Sequence, residues 1–195
     1  MSDGDYWVFG YGSLIWDPGF PYLEKRTGIL RGYHRRFCLY SHRYRGTKEK
    51  PGLVLGLDRG GACSGVVFRV AASDVPTVKE YLWDREMLNS AYVAKMLRIK
   101  TPSGPVMAQS FVINPENEQY AGRLTPDATA RLIATSCGER GQNCTYLFNT
   151  VDHLAELGIH DRGLEALAIV VRRLIALHGE GLDRPDHPVF AGDGI

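Results

Sequence analysis

The chain has 195 residues, 44% of them hydrophobic, with 23 Lys and Arg against 22 Asp and Glu for a net charge of +1. That length suits one domain with a buried core, and a balanced charge with no block of one sign excludes the electrostatic footprint of a nucleic-acid or anionic-lipid binder and leaves a small molecule as the expected partner. The acidic start Met1-Ser2-Asp3-Gly4-Asp5 is unlike a secretory signal, and no apolar run approaches the roughly 18 residues that span a bilayer, so the expectation is a cytoplasmic protein with no membrane partner.

In chain order, Trp7 to Tyr11, Thr27 to Tyr40, Gly52 to Leu57 and Cys63 to Val70 are β-branched and aromatic runs bounded by glycine, the spacing of strands. Ser73 is placed to cap a helix from Asp74 towards Glu86, with Pro76 tolerated in its first turn. Ala91 to Lys100 and Val106 to Ile113 read as two more strands. The period then changes. Thr125-Pro126-Asp127 supplies a cap, a first-position proline and an acidic first turn to a helix that stops by Gly138. Leu147, Val151 and Leu154 repeat at helical spacing until Gly158, and Leu164, Leu167, Ala168, Val171, Leu174 and Ile175 do so until Gly179; both stripes read as core. Strands first and helices after predict an α+β fold, with a small mostly antiparallel sheet or open barrel and flanking helices. Residues 1–182 are expected to form the single domain, and 183–195, rich in Pro, Asp and Gly, an irregular tail. Cys38, Cys63, Cys137 and Cys144 contain no Cys-x-x-Cys pair and read as reduced structural thiols.

The densest chemical signal is Phe9-Gly10-Tyr11-Gly12-Ser13-Leu14, directly after the first strand. A turn there aims successive N–H groups outward and lets a ligand approach the main chain, a site for an anion or developing oxyanion. The plain alternative is a tight turn of small residues. The segment fits neither the dinucleotide fingerprint nor a P-loop, and Ser13 does not sit in the Gly-x-Ser-x-Gly elbow of a serine nucleophile. Tyr81-Leu82-Trp83-Asp84-Arg85-Glu86-Met87 is the second cluster. Its plain reading is a solvated charged helix end, but Glu86 at a helix C-terminus meets the negative end of the dipole, which raises a carboxyl towards the range of a useful base, and Tyr81 and Trp83 are expected to add desolvation. Tyr120 is the third candidate, by composition an ordinary interface tyrosine. Six histidines offer no metal-ligand spacing.

Together, Val8-Phe9-Gly10-Tyr11-Gly12-Ser13-Leu14-Ile15-Trp16, Gly65-Val66-Val67-Phe68, Leu82-Trp83-Asp84-Arg85-Glu86-Met87 and Gly141-Gln142-Asn143 resemble the ChaC family of γ-glutamylcyclotransferases, in order and rough spacing across nearly the whole chain. The Trp-x-Arg-Glu-Met form is similar to the bacterial branch. The resemblance implies a γ-glutamylcyclotransferase-like fold, no cofactor, no metal, and glutathione as substrate. It implies that Glu86 is the catalytic base, that Val8, Phe9, Gly10, Tyr11, Gly12, Ser13 and Leu14 form the substrate-binding loop, and that Tyr120 corresponds to a substrate-contacting tyrosine.

Two other readings stay open at this point. One is a binding module for a γ-glutamyl metabolite, disfavoured because a carboxylate at Glu86 repels a ligand that already carries two. The other keeps the cyclisation and changes the substrate to γ-glutamyl amino acids or γ-glutamylamines. The basic segment Ser41 to Lys50 is expected to be either a solvated connection or a lid, with Arg43 or Arg45 reaching the distal carboxylate of glutathione.

Overall fold

The computed structural model describes residues 6–87 and 90–179, so the tail expected at 183–195 lies outside the described residues. Five strands, β1 (Tyr6–Gly10), β2 (Glu24–Ser41), β3 (Gly52–Val70), β4 (Tyr92–Thr101) and β5 (Gly104–Ile113), form a barrel in the order β1-β3-β2-β4-β5. The barrel is closed, where the sequence left a sheet or an open barrel. Closure comes from a parallel pairing of Trp7 and Val8 in β1 with Ala108 and Gln109 in β5; every other pairing in the barrel is antiparallel.

The two strands expected at 52–57 and 63–70 are one strand, because the glycines between them bend the ladder without breaking it. Gly60 and Gly61 have φ of 99° and 67°, which only glycine adopts at little cost, while Asp58, Arg59 and Ala62 stay paired with β2 across a register shift between Arg31 and Tyr33. That bend sends the first half of β2 across to β4 at Ile29 and Leu30. Gly65 serves a close approach instead, since a Cβ there would sit 2.4 Å from the carbonyl oxygen of Gly10. Its missing side chain is what lets the end of β1 lie against β3.

Helix α1 (Val75–Glu86) carries Pro76 in its first turn as expected, but Ser73 does not cap it. A 3₁₀ turn over Ala72–Asp74 intervenes, and the Ser73 hydroxyl donates to the Asp74 carboxylate at 3.1 Å. Helix α2 (Pro126–Thr135) is capped by Thr125, whose hydroxyl accepts from the Ala128 N–H. It ends before Cys137 because β6 (Cys137–Gly138) pairs with β7 (Gly141–Gln142). Helices α3 (Asn143–Glu156) and α4 (Arg162–Gly179) follow, and α2, α3 and α4 pack together with Ala130, Ile133, Leu147, Leu154, Leu164, Ala168 and Val171 buried, the last five on the stripes that the periodicity marked; Ile175, read as the end of the α4 stripe, is exposed instead. Each such buried leucine contributes about 2 kcal/mol of transfer free energy. Asn143 joins the two layers: its side-chain amide donates to the Leu53 carbonyl and accepts from the Leu53 N–H, both at 2.7 Å. All four cysteines are free, and burial pushes the thiols of Cys38 and Cys63 up to about 12 and about 11. Among the described residues no helix is long and apolar enough to cross a membrane.

Candidate active site

Where β1 ends at Gly10 the chain turns sharply and enters a 3₁₀ turn over Ser13–Ile15, closed by Ile15 N–H to Gly12 O at 2.9 Å and Asp17 N–H to Ser13 O at 2.8 Å. The N–H groups of Gly12, Ser13 and Leu14 meet no acceptor among the described residues, as first-turn donors do. Tyr11, Gly12, Ser13 and Leu14 line one recess with Leu55 of β3, Glu86 at the end of α1, Tyr92 of β4, Phe111 of β5 and Tyr146 of α3. The barrel closure and the helical layer thus bring separate parts of the chain to one point.

Glu86 is the last residue of α1, and its side chain is 16% exposed. Burial raises its carboxyl above the ordinary carboxylate value, and the Arg85 guanidinium, with Nε 3.4 Å from Glu86 Oε1, pulls the other way. The two influences together suit a group that must first accept a proton and then return it. The desolvation does not come from Trp83, which is 60% exposed; the sequence expectation fails because position 83 turns outward on the helix. The residues that line the recess beside Glu86 are Tyr11, Leu55, Tyr92, Phe111 and Tyr146. Burial in turn keeps the hydroxyls of Tyr11, Tyr92 and Tyr146 protonated, Glu86 adding to the effect at each. Tyr92 donates to the Leu55 carbonyl at 2.7 Å.

Two arginines fix the turn. Arg85 donates through Nη2 to Ser13 Oγ at 2.9 Å and through Nη1 to the Asp17 carbonyl and the Tyr81 hydroxyl, so it ties the turn to the end of α1. Arg35 of β2, buried, donates to the carbonyl oxygens of Tyr11 and Ser64 and to the carboxylate of Asp161.

Of the residues singled out in the sequence, Tyr11, Gly12, Ser13, Leu14 and Glu86 lie together in the recess. Val8 and Phe9 do not line it; both are wholly buried in β1, opposite Phe68 and Val67. Gly10 shapes the turn, since a Cβ there would lie 3.0 Å from Leu14 Cβ. Tyr120 sits outside the recess. Its hydroxyl donates to Asp58 at 2.9 Å and accepts from Arg36, and its ring packs with Cys38, Leu39, Ala91 and Ile113 in a small cluster that Tyr92 also touches. Tyr92, Tyr146 and Arg35 went unnoticed in the sequence. An isolated tyrosine or a strand arginine carries no local signature; only Gly141-Gln142-Asn143, leading into α3, hinted that the start of that helix matters.

The family model for ChaC-like proteins matches residues 6–174. The chain belongs to the ChaC-like family. Among curated proteins similar to it, the glutathione-specific gamma-glutamylcyclotransferase of Escherichia coli is 36% identical over 94% of this chain and 80% of its own length. The human glutathione-specific gamma-glutamylcyclotransferase 1 is 34% identical over 87% of this chain and 80% of its own. Among solved structures, a yeast gamma-glutamyl cyclotransferase specific to glutathione superposes with a TM-score of 0.80 at 26% identity, covering 88% of this chain and 97% of that one. The ChaC-like match spans every residue of the recess.

Proposed function

We infer that this ChaC-like protein is a glutathione-specific γ-glutamylcyclotransferase, an enzyme that releases 5-oxoproline and cysteinylglycine from glutathione. The observation that carries this is the 36% identity to the Escherichia coli enzyme over nearly the whole chain, supported by a recess that combines a partly buried carboxylate with a turn whose N–H groups meet no acceptor among the described residues.

In this reading Glu86 takes a proton from the α-ammonium group of the γ-glutamyl arm. The freed amine attacks the arm's own γ-carbonyl carbon, a five-membered ring closes, and the bond to the cysteine nitrogen breaks. Of the three ammonium protons one stays on the lactam nitrogen and two pass to the departing amine, with Glu86 as the carrier; no water is consumed. Because both reacting groups belong to one molecule, the protein has mainly to fold the arm and to meet charge on the carbonyl oxygen, and positioning of this kind supplies about 7 kcal/mol or more of a barrier. The Gly12 to Leu14 N–H groups are the donors suited to that charge, and the neutral tyrosines keep water out.

Incubation of the purified protein with glutathione, γ-glutamylalanine and a γ-glutamylamine, followed by mass spectrometry, is the test. Release of 5-oxoproline from glutathione well above the other two is expected. Equal release from all three sinks the specificity, and none from any sinks the enzyme.

A further inference from the structure

We propose that Arg35 is a positioning residue for catalysis, acting through the peptide bond between Tyr11 and Gly12. Its side chain is 2% exposed and is not among those lining the recess of Glu86. A buried guanidinium needs acceptors for its N–H groups, and three are supplied: Asp161 Oδ2 at 3.1 Å on Nε, the Ser64 carbonyl at 2.8 Å on Nη2, and the Tyr11 carbonyl on Nη1. The first two anchor it. Asp161 is itself held, since its other carboxylate oxygen accepts from the Leu164 N–H at the start of α4 and its carbonyl accepts from the Glu165 N–H. The third bond reaches the site.

All described peptide bonds are trans, so the carbonyl of Tyr11 and the N–H of Gly12 point in opposite directions within one plane. Arg35 grips the carbonyl side. The N–H side belongs to Gly12, which lines the recess and whose N–H meets no acceptor among the described residues. A cation on the carbonyl therefore does two things at once. It fixes the tilt of the peptide plane, and it draws electron density towards the oxygen, which strengthens the N–H at the other end as a donor, as linked hydrogen bonds polarise one another. A donor tuned this way matters most when charge develops on the substrate's carbonyl oxygen, so the effect belongs to the transition state and not to ground-state binding.

The inference rests on the turn and Glu86 being the site of 5-oxoproline formation, and the test separates the two. Wild type, Glu86→Gln, Arg35→Lys and Val171→Ala are compared with glutathione well below their melting temperatures. Val171 is buried further along α4 and holds neither Arg35 nor Asp161, so its variant reports plain destabilisation. Arg35→Lys keeps the charge and loses the fork; its kcat is expected to fall at least ~10-fold with KM within ~3-fold, a split that marks loss of an interaction made in the transition state. Val171→Ala is expected to keep the wild-type kcat. Wild-type kcat in folded Arg35→Lys, or an equal fall in Val171→Ala, overturns the role of Arg35 and leaves the site intact. If Glu86→Gln turns over like wild type, the site itself is misplaced. Should Arg35→Lys not fold, Asp161→Ala takes its place: it frees Nε and lets the guanidinium tilt off the Tyr11 carbonyl, so kcat should fall ~3-fold or more at unchanged KM, and an unchanged kcat overturns the proposal.

Discussion

Arg85 and Ser13 are 72 positions apart and joined by a hydrogen bond of 2.9 Å, from the Arg85 Nη2 to the Ser13 hydroxyl, while Nε of the same guanidinium stands 3.4 Å from Glu86. One side chain thus sets both the place of the turn after β1 and the charge environment of the candidate base. The two effects separate experimentally. Removing the cation with Arg85→Met leaves burial unopposed, so the Glu86 carboxyl rises further and the acid limb of kcat/KM should move to higher pH. Arg85→Lys keeps a cation near Glu86 but loses the fork to Ser13 and Asp17; there the limb should stay and kcat should fall. A pH profile that is the same for wild type and Arg85→Met would detach the limb from Glu86.

Glu86→Gln removes the base and keeps the size of the side chain, so turnover should fall at least ~100-fold, the ordinary scale for a general base. Its effect on stability has the opposite sign. Because burial raises the folded-state value of Glu86, the native protein binds the proton more tightly than the unfolded chain, and stability is lost as pH rises through that raised value. Glutamine carries no such cost. At pH 7 the variant should melt at or above the wild-type temperature, and the gap should close as the pH falls below the usual carboxylate range. Glu80→Gln, on the exposed side of α1, should alter neither quantity.

Much of this was legible along the chain and part was not, for a physical reason. Thr125 capped its helix, and the apolar stripes of α3 and α4 became core except at Ile175, since periodicity records which face is buried. The turn at Gly12 and the glutamate at position 86 were visible because glycines in sequence and a charge at a helix end are local features. What sequence could not show is the closure of the barrel by β1 on β5, a contact made by residues about a hundred positions apart. That closure places Tyr92 and Phe111 behind Glu86. Trp83 was expected to dry the site and instead faces solvent, because Leu82 takes the buried side of α1 and one position along a helix turns a side chain by about 100°.

Gly12 tests whether the turn is only a turn. A Cβ at this position would lie 3.2 Å from the Tyr146 hydroxyl and 3.6 Å from Leu55 Cδ1, both lining the recess. Gly12→Val therefore intrudes on the floor of the site and displaces Tyr146, and kcat/KM should fall ~100-fold on the scale of a lost oxyanion donor, with the melting temperature lower by only a few degrees, about 1 kcal/mol for a chain this long. Loss of stability in proportion to activity would favour a structural turn.

The basic segment after β2 divides its two arginines between different surroundings. Arg43 pairs with Glu139 at 2.8 Å on the surface, with its side chain 69% exposed. Arg45 is half-buried, donates through Nη1 to the carbonyls of Arg140 and Gln142, and lies over the ring of Tyr146 at 5.3 Å. Its Nε and Nη2 meet no acceptor among the described residues, and Tyr146 is part of the recess. If the segment contributes to selectivity, Arg45 is the arginine expected to meet the distal carboxylate of glutathione. A charge-assisted bond of about 1.5 kcal/mol corresponds to a KM about tenfold higher in Arg45→Ala, with kcat little changed because the contact is equally strong in ground and transition states. Arg43→Ala should keep the wild-type KM. The cyclisation of a γ-glutamylamine, which lacks that carboxylate, should be the same in all three proteins. If Arg45→Ala binds glutathione as wild type does, the segment takes no part in selectivity, and the carboxylate is met by another group around the recess.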